Sequence, residues 1–267
     1  MLIFSCGCAS RPGPAAPKPS APSLLAGEEE IGEKIHRQIL SQFYPYTDPR
    51  VVEYVNRVGN SLAQFAVRRE IRCRFTILYS DKIYATSSPG GFIYITTGML
   101  YFLDNEAQLA AVLAHEIGRL QDKDPQLSKS RKVLEAVTRG GAMVGPAFGE
   151  IGVLAVLGLA MVNALAESRQ ISPSRKLIAA DSRAFHYMIQ ADYDPQGLVE
   201  LIQKFLRADR SVTPYFLDYY RSRPITEERA VTLQSTFAEL PLQGTTLVTR
   251  QKEYREITLP IREMYRQ

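Results

Sequence analysis

The sequence predicts an α+β protein, mainly helical, with one small β-sheet. Three observations carry that prediction. Apolar residues recur at spacings of three and four over much of the 267-residue chain. Two short runs, "RCRFTILYS" (72–80) and "GFIYITTGML" (91–100), are instead dense in β-branched and aromatic side chains and read as strands. Hydrophobic residues make up 45% of the chain, enough for one large domain with a core of its own.

Taken in order, residues 1–10, "MLIFSCGCAS", form a short apolar run that ends in cysteine. They resemble a bacterial lipoprotein signal with Cys6 or Cys8 as the lipidated residue, although a basic leader is lacking and the apolar run is short. The other reading is a tail with chance cysteines. Residues 11–26, "RPGPAAPKPSAPSLLA", are too rich in Pro and Ala to pack and read as a linker. From Glu28 the pattern turns helical, and Val51, Val55, Val58, Leu62 and Phe65 mark one apolar face. "TSSPGG" (86–91) between the two strands is a turn or loop. Asp104 or Asn105 then caps a helix whose buried side carries Leu109, Val112, Leu113, Ile117 and Leu120. Further helices are expected near 126–139, 148–168, 175–191, 195–208 and 226–240. The apolar stretch 151–165 is short for a membrane span and interrupted by Asn163, so a buried helix is expected there.

The composition excludes some functions. A net charge of +4 without a Lys/Arg block gives no case for nucleic acid. Three cysteines, two of them within the first ten residues, do not make a disulfide framework.

Chemistry enters at "AAVLAHEIGRLQDKD" (110–124). His115-Glu116-Ile117-Gly118-Arg119 is one residue from H-E-x-x-H, in which two histidines on one helix face hold zinc and the glutamate is the general base. His115 and Arg119 lie four apart and so project from one face. The surroundings extend the match. "EEEIGEKIHRQILSQFYPYTDPRVVEYVNRVGNSLA", "SSPGGFIYITTGML", "LDNEAQLAAVLAHEIGR", "SRKLIAADSRAFHYMIQADYDPQGL" and "RPITEERAVTL" follow one another in the order of five family blocks. From about Glu28 to Leu240 the chain resembles the zinc metallopeptidase family of the CAAX prenyl protease, HtpX, Oma and the periplasmic BepA.

The resemblance implies a zincin-like fold over residues 27–267, with the small sheet packed on the active-site helix. It implies that His115 stands at the first zinc-ligand position and Glu116 at the general base. Asp181 fits the aspartate of the later E-x-x-x-D motif. The second histidine is replaced by Arg119, the glutamate ligand by Leu177, and a histidine often found in the last block by Arg223. The asparagine often found ahead of the Pro-Gly-Gly loop is Tyr84. His115 and Glu116 are thus read as vestigial.

A catalytic zinc takes three protein ligands and a water. Arginine offers no lone pair and repels the ion, and leucine offers nothing. The other two histidines, His36 and His186, lie off the ligand face, so no cofactor is expected. Zinc lowers the pKa of its water from about 15.7 to about 7. That is worth about 12 kcal/mol of proton-transfer driving force, against the factor of about 100–10,000 that general acid–base catalysis supplies alone. The vacated charge position is expected to be filled by Arg119 or Arg223, paired with Glu116 and Asp181; the alternative is a core histidine that simply hydrogen-bonds Asp181.

Three functional readings follow. The first is a noncatalytic relative on the periplasmic side of a bacterial envelope, lipid-anchored to a membrane. It binds a polypeptide or envelope protein along an edge strand formed by Gly91, Phe92, Ile93, Tyr94 and Ile95. "TPYFLDYY" (213–220) is a further candidate lining. The second is an active zinc metalloendopeptidase with unorthodox ligands. The third is a purely structural envelope lipoprotein.

Overall fold

The computed structural model describes residues 21–121, 173–208, 225–242 and 246–266, with side chains from Leu25 and Lys176 onward in the first two segments. The expected helices at 126–139 and 148–168, the apolar stretch 151–165, the aromatic run 213–220, Arg223, Cys6 and Cys8 all lie outside the described residues.

Among the described residues, helices surround a three-stranded mixed sheet. Helix α1 spans Ala21–Leu40, so it begins inside the segment expected to be linker. It buries Ile31, Ile35 and Ile39 at four-residue spacing. Helix α2, Pro49–Ala63, starts with proline in its first turn, and Asp48 accepts from the Arg50 and Val51 amides. Val51, Val55, Val58 and Leu62 are fully buried, as their spacing predicts, while Phe65 lies just past the helix and is half-buried.

Strands β1 (Arg74–Leu78), β2 (Ala85–Ser88) and β3 (Phe92–Thr96) are arranged β1-β3-β2. β3 pairs parallel with β1, from Arg74↔Phe92 to Leu78↔Thr96. It pairs antiparallel with β2, from Ala85↔Ile95 to Ser88↔Phe92. Two expectations are corrected here. "TSSPGG" is only partly a turn: its Thr-Ser-Ser is the body of β2, and Pro89–Gly91 is the tight connection. Gly90 and Gly91 sit at φ 76° and 86°, and a Cβ on Gly91 would lie 2.3 Å from the Arg72 carbonyl oxygen. The expected groove edge, Gly91, Phe92, Ile93, Tyr94 and Ile95, is instead the centre of the sheet, because β3 is paired on both sides.

The second strand also ends earlier than expected. Thr96 accepts the Met99 amide through its hydroxyl and so caps α3, Thr97–Phe102. Asn105 caps α4, Glu106–Leu120, by accepting from the Gln108 amide at 2.9 Å, whereas Asp104 binds Lys204 at 2.7 Å. The five apolar residues expected on the inner side of α4 are buried, but so is almost every other residue from Glu106 to Leu120. α4 is therefore a central helix, flanked by α2, β2, α5 (Pro173–Gln190) and α6 (Gln196–Arg207). Helices α7 (Glu227–Ala238), α8 (Gln251–Ile257) and α9 (Leu259–Met264) complete the described fold. Among the described residues, no helix is long and apolar enough to cross a membrane.

Burying α4 on all sides requires its charges to be met inside. Glu106 has no exposed surface and is held by Arg250 at 2.7 Å and Arg57 at 3.3 Å. At the other end α4 and α5 approach closely at Gly118, where a Cβ would stand 2.9 Å from the Ala180 carbonyl oxygen. Gly118→Ala should therefore cost about 1–3 kcal/mol through overpacking, read as a lower urea midpoint with an unchanged m-value; an unchanged midpoint would show that the helices separate freely.

Candidate functional site

The site lies where α4, α5, α7 and β2 meet. Its centre is Asp181, on α5, with no exposed surface. His115, on α4, donates from Nδ1 to Asp181 Oδ1 at 2.7 Å. Arg229, on α7, grips the same carboxylate with two bonds, Nε to Oδ2 at 2.8 Å and Nη2 to Oδ1 at 2.8 Å. This bidentate fork is the geometry that arginine is shaped for. Local sequence explains how Arg229 reaches it. Thr226 caps α7 by accepting the Arg229 amide at 3.1 Å, which fixes the first turn and turns Arg229 inward.

The electrostatics follow from that arrangement. Burial by itself would raise the Asp181 pKa, but the Arg229 guanidinium and then His115 outweigh it and hold the carboxyl at about 2. His115 moves down from its usual range, because burial disfavours the imidazolium more strongly than Asp181 favours it. A neutral ring that donates from Nδ1 keeps its lone pair on Nε2, and that buried atom has no hydrogen-bond partner among the described residues.

Glu116 forms a second node. Its Oε2 accepts from Arg119 Nη1 at 3.0 Å and from Ser87 Oγ at 3.0 Å. The carboxylate is 1% exposed and the Arg119 side chain 7%, so this i,i+3 pair lies inside the protein. Ser87 belongs to β2, so the hydroxyl ties the edge strand to α4.

The structure thus brings His115, Glu116, Arg119 and Asp181 together. Arg119 fills the charge position beside Glu116, as expected. The counter-charge of Asp181 is Arg229, which the sequence reading missed. The only signal was its place in the "TEER" turn, and nothing there says which carboxylate it meets. Ser87 was missed because Thr-Ser-Ser reads as loop. Leu177 is buried one turn before Asp181 on α5 and so shares its face. His36 is elsewhere: it stacks on Phe92 with centroids 4.8 Å apart and meets the Tyr94 hydroxyl at 3.0 Å. His186 is exposed, and Tyr84 is buried. Among the described residues, no three His, Cys, Asp or Glu side chains are grouped so as to hold an ion.

Buried charged nodes on a central helix beside a three-stranded sheet are what the metallopeptidase resemblance predicts for this region. Residues 49–237 match the peptidase family M48 profile, and the chain belongs to that family. It is 27% identical over 213 residues to the beta-barrel assembly-enhancing protease of Escherichia coli (strain K12), an alignment covering 76% of this chain and 40% of that one. The protein of the same name from Yersinia pestis is 24% identical over 204 residues, covering 73% and 41%. The chain therefore spans about two-fifths of the length of the curated relatives it matches.

Acid should undo the site in two stages. The folded pKa of His115 lies below its unfolded value of 6.5, so the unfolded chain binds the extra proton and stability falls as pH drops below 6.5. The folded pKa of Asp181 is also depressed, so its contribution is complete above 3.8 and is lost as pH falls towards about 2. Urea midpoints at pH 7, 5 and 3 should decline in step, and Asp181→Asn should make the drop between pH 5 and 3 smaller; a variant with the wild-type slope there would contradict the assignment. At pH 7, Arg229→Ala should cost about 3–5 kcal/mol, because it strands a buried carboxylate.

Proposed function

We propose that this chain is a noncatalytic member of family M48 that holds an extended polypeptide without cutting it. The observation that carries the reading is the buried ion pair of Arg119 with Glu116. A general base must be free to take a proton from water, and here one of the two carboxylate oxygens, Oε2, is engaged by a permanent cation and a serine hydroxyl inside the protein. The residues also do not fit a catalytic zinc. His115 offers one lone pair, while Arg119 and Leu177 offer none where a zincin-like site needs two more ligands.

The groove is assigned to β2 rather than to β3. β2 is an outer strand of the sheet, paired on one side by β3, and its four residues are buried, so pairing on its other side requires that side to be uncovered first. An added strand would use that side, and main-chain pairing of this kind does not depend on a metal. The relatives from Escherichia coli and Yersinia pestis are named for enhancing the assembly of β-barrels. Carried to this chain, that name makes strand-forming polypeptides of the bacterial envelope the partner class. It also suits a periplasmic location with a lipid anchor at Cys6 or Cys8.

One observation favours the second reading, an active zinc metallopeptidase. Asp181 orients His115 in the way that carboxylates orient metal-ligating histidines, with Nε2 unpartnered. Metal analysis of purified protein, paired with casein hydrolysis with and without chelator, separates the two. The expected result is zinc well below one per chain and no chelator-sensitive cleavage; stoichiometric zinc with chelator-sensitive cleavage would sink the noncatalytic reading. Arg119→His combined with Leu177→Glu should gain zinc, because the support for His115 persists. A double variant that folds and stays metal-free would mean that α4 and α5 no longer present ligands to a common point.

A further inference from the structure

Beyond the β1 edge of the sheet the surface opens into a cleft of about 400 Å³, small but within the range of small-molecule sites. Phe43 and Ser80 are its buried part, at 3% and 4% exposure. Tyr79, Met264 and Tyr265 complete the lining, and Asp81 adds a carboxylate. The rings are held by contacts outside the cleft. The Tyr265 hydroxyl lies 2.9 Å from Thr97 Oγ1 and 3.1 Å from the Ser80 carbonyl oxygen. The Tyr79 amide donates to the Tyr44 carbonyl at 2.8 Å. Burial first, and then the charge of Asp81, push the Tyr265 pKa up, so the carboxylate stands within electrostatic reach of that ring.

We propose that this cleft binds a quaternary ammonium group, with the aromatic side chains as its walls and Asp81 as its counter-charge. The lining excludes the other ligand classes in turn. An anion would be repelled by Asp81. A calcium-like ion takes six to eight oxygen ligands, and the cleft offers a single carboxylate. An uncharged apolar ligand would strip water from Asp81 and return nothing for it. A primary ammonium brings three N–H donors that need acceptors. The Ser80 carbonyl is already taken, by the Gly98 amide and the Thr97 hydroxyl, both at 2.8 Å. A quaternary ammonium has no N–H to satisfy, and the faces of tyrosine and phenylalanine rings attract it.

Asp81 is open to such a ligand. Its side chain is 47% exposed, and its Oδ1 stands 3.8 Å from Lys82 Nζ, too far for a hydrogen bond. The chemistry recognised is the quaternary ammonium itself, carried by a free small amine such as choline or by a phosphatidylcholine headgroup. None of the lining residues belongs to either carboxylate node, so the inference does not depend on the noncatalytic reading.

The test titrates choline into the full chain carrying labelled methionine methyl groups and follows the NMR shift of Met264. Saturation with a Kd below about 1 mM is expected. The neutral isostere 3,3-dimethylbutan-1-ol keeps the shape without the charge and should bind about fivefold or more weakly. Tyr79→Leu should weaken choline binding by a similar factor, while Tyr79→Phe, which keeps the ring, should not. Asp81→Asn should weaken it about threefold and flatten its salt dependence. A weaker Kd for choline, or equal binding of choline and its isostere by the unaltered chain, would overturn the proposal without recourse to any variant. Equal binding by Tyr79→Leu would overturn it too. Vesicles then separate the sources. Cosedimentation with phosphatidylcholine over phosphatidylglycerol, displaced by free choline, identifies the headgroup; choline binding without cosedimentation identifies the soluble amine.

Discussion

Asp181 is a carboxylate with no exposed surface, and three helices are arranged so that it is never without a donor. Removing such a charge from water costs several kcal/mol before any contact is made. Only good geometry offsets that, and the two-pronged Arg229 together with His115 supplies it. The partners come from positions 115, 181 and 229, so the node cannot form until α4, α5 and α7 are all in place. In this fold the ion pair acts as a register lock. Gly118 is the complementary device, because the close approach of α4 and α5 is what brings the His115 ring to the Asp181 oxygens.

The second carboxylate is handled differently. Glu116 meets a cation from its own helix, three residues on, so the pair needs no distant element to form. A tethered guanidinium and a metal ion can both neutralise a buried carboxylate, but their chemistry differs. Arginine carries one fixed positive charge, accepts no lone pair and cannot polarise a bound water into a nucleophile. The contribution of Ser87 is positional: its hydroxyl joins the edge strand to the same oxygen, so the sheet and the central helix are tied at one carboxylate.

What could be read from the sequence follows from which forces are local. α2 announces itself because only one of its faces is buried, which leaves a clear period. The inner residues of α4 were legible too, but its near-complete burial was not, since small alanines disguise a face that is as enclosed as the leucine side. β2 was invisible for the opposite reason: Thr-Ser-Ser has little apolar content, and the adjoining Pro-Gly-Gly reads as punctuation. The order of the strands is a tertiary fact. Nothing in "GFIYITTGML" says that it will be paired on both sides, so the run reads as an edge although it forms the centre of the sheet. The carboxylate nodes show the same division. Arg119 could be matched to Glu116 by counting along a helix, whereas Arg229 could not be matched to Asp181 without the fold.

The sheet order also keeps the two outer strands apart. Beyond β1, the segment around Pro45 bridges to Leu78 and covers that edge. β2 lies on the opposite side of β3, so the two edges stand about 10 Å apart across two strand spacings. Ser87 anchors the β2 edge to α4 and the carboxylate nodes, whereas Ser80 anchors the β1 side through Tyr265 and Thr97 to the C-terminal helices. The β2 side of the sheet therefore meets Glu116, whereas the β1 side meets Thr97 and Tyr265. The two edges of one small sheet are thus fixed to different parts of the fold, one to the central helix and the other to the C-terminal helices.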